Sequence, residues 1–169
     1  NRQLQRLTLD NLESASPVTI SLKRPKVTPH PSQGSRTSET VQLSRPLALT
    51  MHPRTSNLYW VDQQTFHAGP VTMLYSAEPD GRNVQLILQT SDTSLDSLVI
   101  APSLEKIYWT DKRRGRIGRC NLDGGEQETG FITGLSEPDH LIFDETSGLL
   151  YWSETNNNRG QIRRAELNG

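Results

Sequence analysis

The chain has 169 residues, enough for one domain of ordinary size, and only 33% of them are hydrophobic, a low share for a compact globule. The 18 Lys and Arg nearly cancel the 19 Asp and Glu, so no overall excess of charge predicts binding to nucleic acid or to a membrane surface. No apolar run of about 18 residues is present, which excludes a transmembrane helix within the chain, and the single cysteine excludes an internal disulfide.

The N-terminal part is predicted to hold the end of one structural repeat and an insertion. Residues 1–22 are predicted to form the last two strands of a partial unit, because Leu4 to Asn11 matches a strand-and-turn segment that recurs later. Residues 23–46 are an insertion and a link. From Lys23 to Thr40 this insertion is rich in Pro, Ser and Thr and nearly devoid of large apolar residues, which predicts a mobile loop.

Three aromatic motifs organise the rest of the chain. Every Trp follows a Tyr, and the Tyr residues are 49 and 43 residues apart. A short apolar run precedes each motif, and an alternating strand with Asp-Gly or Asn-Gly follows it, so each unit is predicted to have four short strands. The motif residues, for which a structural role is predicted, are Tyr59, Trp60, Asp62, Tyr108, Trp109, Asp111, Tyr151, Trp152 and Glu154.

Four strands in a repeat of about 40–50 residues are typical of a propeller blade. Residues 47–90 and 91–134 are predicted to be complete blades, and residues 135–169 a partial blade without its last strand. The predicted fold is therefore all-β, a fragment of a β-propeller that does not close by itself.

The second unit carries a resemblance to a known family. Tyr108-Trp109-Thr110-Asp111, followed by Ile-x-Arg-x-x-Leu-Asp-Gly at 117–124, resembles the class B (YWTD) repeat of low-density-lipoprotein-receptor relatives. The resemblance covers nearly the whole chain apart from roughly residues 23–41. Val61 and Ser153 depart from the motif Thr, and Glu154 departs from its Asp.

The resemblance implies both a fold and a function. The family forms six-bladed propellers with four-stranded antiparallel blades. The implied function is that of a non-enzymatic extracellular module, without a cofactor, that mediates binding or release of a protein ligand. The implied parent protein is a membrane-anchored receptor, with this segment on the extracellular side of the cell surface.

The motif residues have a physical reason to recur. Successive strand residues point to opposite faces of a sheet, so one ring of each Tyr-Trp pair is expected to face each neighbouring blade. The acid that follows each pair is expected to accept backbone N–H groups from the next turn. Cys120 is expected to be an inert core thiol, because Ala77 and Ala165 occupy its position in the other units; a reactive or bridging thiol is the alternative.

A cluster of cations is the candidate ligand-binding site. In a four-stranded meander, the connections between the second and third strands share one side with the links between blades. The cluster would attract a protein ligand with an acidic surface, and the alternative interpretation is a solvated hairpin. The candidate residues are Lys112, Arg113, Arg114, Arg116 and Arg159.

Three other functions stay open at this point. A secreted matrix (nidogen-like) interaction module is the alternative within the same fold. A Ca²⁺-dependent propeller hydrolase would need converging polar groups, for which the inner-strand ends offer mainly Asp96, Asp139 and His140. An intracellular interaction propeller of the NHL type is disfavoured by the repeated Tyr-Trp pair. None of His30, His52, His67 and His140 shows metal-ligand spacing.

Overall fold

The computed structural model describes residues 43–167, so the predictions for residues 1–22, for the insertion up to residue 42 and for the turn at Asn168-Gly169 lie outside the described residues. The described part folds into three antiparallel sheets in which each strand pairs with its neighbour in sequence. The first sheet contains β1 (Pro46–Met51), β2 (Leu58–Phe66), β3 (Gly69–Ala77) and β4 (Gln85–Thr90). The second contains β5 (Leu98–Ala101), β6 (Lys106–Asp111), β7 (Arg116–Asn121) and β8 (Glu128–Ile132), and the third contains β9 (Pro138–Asp144), β10 (Leu149–Asn156) and β11 (Arg159–Glu166).

The sheets are successive blades of a β-propeller. The first strands of the blades contact one another, β1 with β5 and β5 with β9, so they form the inner edge of the arrangement. The later strands extend outward in chain order. The all-β fold and the four-stranded antiparallel blades are thereby confirmed, and the described residues form part of a propeller ring.

The Tyr-Trp pairs hold neighbouring blades together. Tyr59 and Val61 of the first blade share one buried cluster with Trp109 of the second, and Tyr108 of the second shares another with Trp152 of the third. Each Tyr therefore faces the following blade and each Trp the preceding one, because side chains alternate along β2, β6 and β10. Burial of each ring stabilises the interface by roughly 1.5–3 kcal/mol.

The residue opposite each Trp on the third strand differs from blade to blade. Tyr75 pairs with Trp60 and stacks on it, with ring centroids 5.5 Å apart. Arg163 pairs with Trp152 and places its guanidinium 5.8 Å from the ring centroid. Gly118 pairs with Trp109, and a Cβ built on Gly118 would lie 2.5 Å from carbon atoms of the indole. In the second blade the indole thus fills the space that a side chain takes in the others.

Gly118→Val is expected to destabilise the chain by about 1–3 kcal/mol, since any side chain must displace the buried Trp109 ring. Urea unfolding followed by tryptophan fluorescence measures the loss. Gly160→Val is the matched control, because Gly160 also lies in a strand and has open space around its Cβ position. Equal stability of the two variants would contradict the packing described for Gly118.

Candidate functional site

The predicted cation cluster lies on the side of the blades that carries the interblade links. Lys112, Arg113 and Arg114 form the β6–β7 turn, and Arg116 begins β7. The β4–β5 link (residues 91–97) and the β8–β9 link (residues 133–137) reach the same turn, the latter through the Leu135 N–H that donates to the Gly115 carbonyl at 2.8 Å. We refer to this side, with its links and the β2–β3, β6–β7 and β10–β11 turns, as the link face.

Most cations of the β6–β7 turn are paired with carboxylates. Arg114 forms ion pairs with Asp92 of the β4–β5 link and, at 4.0 Å, with Asp111. Lys112 Nζ lies 3.9 Å from Asp139, at the start of β9. The turn is therefore charge-balanced to a large extent, which the sequence cluster alone does not indicate.

Asp111 is the buried centre of this network. Its side chain is fully buried, and Oδ2 accepts from Arg116 Nε at 3.0 Å while Oδ1 accepts from Arg114 N at 3.2 Å. The Ser94 hydroxyl of the β4–β5 link lies 3.0 Å from the same Oδ1 atom. Arg116 also donates to the Thr93 hydroxyl at 3.0 Å. This carboxylate thus joins the link from the first blade to the turn of the second.

The equivalent acids in the other blades use different partners. Asp62 accepts from Ser44 N at 3.0 Å and Arg45 N at 2.7 Å, both in the segment that precedes β1. The expectation that each acid binds the turn that follows it holds for Asp111 and is wrong for Asp62. The reason is that β2 continues to Phe66, so the β2–β3 turn begins five residues beyond Asp62.

Glu154 binds side chains instead of backbone groups. Its carboxylate accepts from Trp152 Nε1 at 3.1 Å, Arg163 Nη1 at 3.1 Å and Gln161 Nε2 at 2.5 Å, so the expected bond to the turn is again absent. Burial disfavours its ionisation, but these donors outweigh burial and hold the pKa of Glu154 below its ordinary value. In the first two blades the acid two residues after the Trp is an Asp. There the indole nitrogens of Trp60 and Trp109 have no hydrogen-bond acceptor among the described residues.

Two of the predicted cations remain available to a ligand. The side chains of Arg113 and Arg159 are exposed, and their guanidinium groups have no hydrogen-bond or ion-pair partner within residues 43–167. Arg113 lies at the middle of the β6–β7 turn, and Arg159 begins β11 in the next blade, just after the β10–β11 turn. Three of the five predicted cations lie in the β6–β7 turn, the fourth, Arg116, begins β7, and the fifth, Arg159, lies on the neighbouring blade.

The residues considered for chemistry lie in separate turns and strand ends. The Nδ1 atom of buried His52 accepts from Arg54 N and Thr55 N at 3.2 Å each, which fixes the β1–β2 turn. His67 is exposed, and the His140 side chain is 84% exposed. Asp96 accepts from Lys112 N at 2.9 Å. Among the described residues, no group of three His, Cys, Asp or Glu side chains is arranged to hold a metal ion.

Cys120 lies in the core of the interface between the first two blades. It is fully buried and pairs with Ile107, as Ala77 pairs with Leu58 and Ala165 with Leu150. Burial raises the pKa of the Cys120 thiol to about 12, so the reactive thiolate is scarce at neutral pH.

Comparisons with curated proteins show partial matches, although no protein-family model matches the chain. Mouse nidogen-2 is 39% identical over 64 residues, which cover 37% of this chain and 4% of nidogen-2. Human low-density lipoprotein receptor-related protein 5 is 31% identical over 91 residues, 53% of this chain and 6% of that protein. Low-density lipoprotein receptor-related protein 1 of Pyricularia oryzae is 26% identical over 157 residues, 78% of this chain and 49% of that protein.

Solved structures share the fold. A chain in the crystal structure of a nidogen/laminin complex has a TM-score of 0.63 and 22% identity, over 73% of this chain and 45% of that chain. A streptogramin B lyase has a TM-score of 0.52 and 18% identity, over 76% and 43% of the two chains. At these identities the matches show the propeller architecture alone.

Fold and repeat together define the class of protein. Three consecutive antiparallel blades, each with a Tyr-Trp pair at its interfaces, are blades of a β-propeller, and the recurring pair is consistent with a YWTD repeat. The relatives are low-density-lipoprotein-receptor-related proteins and a nidogen, which indicates an extracellular or cell-surface protein. The chain spans between 4% and 49% of the length of these relatives. No described residue lies in a helix long and apolar enough to cross a membrane.

Proposed function

We propose that this chain is part of a non-enzymatic extracellular propeller, in a receptor of the low-density-lipoprotein-receptor type, that binds a protein ligand through its link face. The motif side chains support this proposal because they are buried in contacts that hold the blades together. Their rings fill the blade interfaces, and the carboxylates of Asp62, Asp111 and Glu154 are occupied by hydrogen bonds. The exposed turns and links that these residues position are therefore the parts that can contact a protein ligand.

The observation that carries the choice of face is the contrast between paired and unpaired cations. Arg114, Arg116 and Lys112 hold the links in place through Asp92, Asp111 and Asp139. Arg113 and Arg159 project from the same side without an internal partner in the described region. An incoming carboxylate can pair with these two guanidiniums without displacing a structural ion pair.

The proposed ligand is a protein with an acidic patch that spans two adjacent blades. The relatives name two probes for a test. Vitellogenin is suggested by the vitellogenin receptor of Solenopsis invicta, which is 26% identical over 115 residues. Laminin is suggested by the nidogen/laminin complex, whose structure shares the fold. Vitellogenin and laminin are therefore the first ligands to examine; binding of laminin alone would favour the secreted matrix alternative.

The Arg113→Glu/Arg159→Glu variant is expected to bind the recognised probe about tenfold more weakly, since two exposed charges contribute up to about 1 kcal/mol each. Surface plasmon resonance of the immobilised chain at two salt concentrations measures the affinity and its salt dependence. The control is Arg54→Glu/Arg82→Glu, with the same charge change in the β1–β2 and β3–β4 turns on the opposite side, where the two cations form exposed ion pairs with Glu145 and Asp80. Equal weakening by both variants, or binding of neither probe, would contradict the proposal.

A further inference from the structure

The hairpins that join the second and third strands of the blades differ in length on the link face. In the second blade, strand pairing ends at Asp111 opposite Arg116. In the first blade it continues for four residue pairs beyond the equivalent Asp62, as far as Phe66 opposite Gly69. Since a strand rises about 3.4 Å per residue, pairing in the β2–β3 hairpin extends roughly 13 Å beyond that level.

The β10–β11 hairpin of the third blade projects as well. Its pairing continues for two residue pairs beyond Glu154, to Asn156 opposite Arg159, which adds about 7 Å. The three hairpins belong to consecutive blades and occupy equivalent positions in them. The short β6–β7 turn (residues 112–115) is therefore the floor of a recess, and residues 63–72 and 155–160 of the two longer hairpins are its walls.

The alternation of side chains along a strand decides which wall residues face this recess. Val61 on β2 packs toward the second blade, so Thr65, four residues later, faces the same way. Trp152 on β10 packs toward the second blade from the other side, so Asn156 faces the recess too. Arg159 lies directly opposite Asn156 in the strand pairing and shares its face.

The two unpaired guanidinium groups of the link face both belong to this recess. Arg113 lies on its floor and Arg159 on its wall, and neither group has a partner within residues 43–167. The neighbouring Lys112 and Arg114 are already paired with carboxylates. Exposed Glu137 directly precedes β9, so its negative charge lies toward the inner edge of the blades. The floor and the third-blade wall thus offer positive charge to a ligand.

We propose that this recess receives a single projecting loop of the protein ligand, with an aspartate or glutamate side chain near its tip. A flat acidic surface would rest on the longer β2–β3 hairpin before it reached Arg113 on the floor. A narrow loop passes between the walls, and its carboxylate can then pair with Arg113 while Arg159 and the Asn156 amide donate from the side. The inference rests on the function proposed for the link face and adds the shape of the ligand.

The Thr65→Trp variant is expected to bind the recognised probe, vitellogenin or laminin, on the order of tenfold more weakly, because the indole fills the recess and overpacks the incoming loop. The substitution changes no charge, so it tests shape alone. Surface plasmon resonance of the immobilised full chain measures the affinity. Thr65 is exposed, so the variant should keep the unfolding temperature of the unsubstituted chain.

Thr155→Trp is the matched control for this experiment. Thr155 is also an exposed strand residue of a projecting hairpin, but it precedes Asn156 and faces away from the recess. The same change there should leave the affinity unaltered. If Thr65→Trp lowers the unfolding temperature, Asn156→Trp fills the recess from the opposite wall and gives the deciding measurement.

The outcomes separate this inference from the function on which it rests. Weakening by Thr65→Trp with full binding by Thr155→Trp would support the inserted loop. If Arg113→Glu/Arg159→Glu weakens binding while Thr65→Trp and Asn156→Trp bind normally, the link face binds the ligand without an inserted loop, and this inference alone is overturned. Equal weakening by Thr65→Trp and Thr155→Trp would place the contact outside the recess and would overturn it as well. Binding of neither probe would contradict the proposed function and this inference together.

Discussion

The Trp109→Ala variant is expected to lose about 3–5 kcal/mol of stability, because it truncates the largest fully buried side chain among the described residues. Trp109 is fully buried and lies between Gly118 on its own sheet and the Tyr59 and Leu74 side of the first blade. Its removal opens a cavity that two rigid sheets cannot fill by small shifts. Urea unfolding monitored by circular dichroism measures the change.

The control for this prediction is Phe66→Ala. Phe66 is also an aromatic strand residue, but it is 49% exposed at the end of β2, so its truncation should cost far less than that of Trp109. If the two variants unfolded at the same urea concentration, Trp109 would not be the contact that couples the first two blades.

Asp111→Ala should destabilise the chain by about 3–5 kcal/mol, because it leaves a largely buried guanidinium without its counter-charge. The Arg116 side chain is 18% exposed, and Asp111 accepts its Nε–H at 3.0 Å. The backbone N–H of Arg114 loses its acceptor as well. Thermal and urea unfolding both report the loss.

A double-mutant cycle separates the ion pair from the other contacts of Asp111. Replacing both partners, as Asp111→Ala/Arg116→Met, is expected to recover part of the loss, since no unpaired buried charge remains. Asp111→Asn should fall between the wild type and Asp111→Ala, because an amide oxygen still accepts from Arg114 N. A double variant less stable than Asp111→Ala would show that the ion pair is not the main contribution of Asp111.

The blade architecture was predictable because it rests on short-range rules. A strand alternates its side chains with a period of two, so adjacent Tyr and Trp residues must face opposite neighbours wherever a strand holds them. The recurrence of the pair gave the number of units, and the Asp-Gly turns gave their hairpins. The position shared by Cys120, Ala77 and Ala165 followed from the same alignment.

The partners of the acidic residues were not predictable in this way. The Asp111 carboxylate accepts a hydrogen bond from the following turn because β6 ends at Asp111. In contrast, β2 and β10 continue beyond Asp62 and Glu154. Strand length beyond the motif depends on hairpin pairing, which the motif does not encode. Glu154 has one more methylene than Asp and reaches Trp152 Nε1, so a departure from the repeat acquires a different structural role.

The candidate site shows the same division between local and long-range information. The sequence places four cations within residues 112–116, and in the structure three of them lie in the β6–β7 turn while Arg116 begins β7. The carboxylate of Asp92 precedes Arg114 by 22 residues and belongs to the β4–β5 link. Only the three-dimensional path of the β4–β5 link brings the two side chains together, and this contact is why Arg114 is paired while the neighbouring Arg113 side chain is not.

The opposite orientation of Tyr and Trp gives each blade a polarity. The contact between blades is heterologous, with a Trp-bearing surface always received by a Tyr-bearing one, as in head-to-tail assemblies of subunits. The outer surfaces of the described blades are consequently unlike: one carries Trp60 and the other Tyr151 with the exposed Ile142 and Ile162. Because each contact joins unlike surfaces, blades add in one direction around a common axis, and such a ring closes where a Tyr-bearing surface meets the Trp-bearing surface of the first blade.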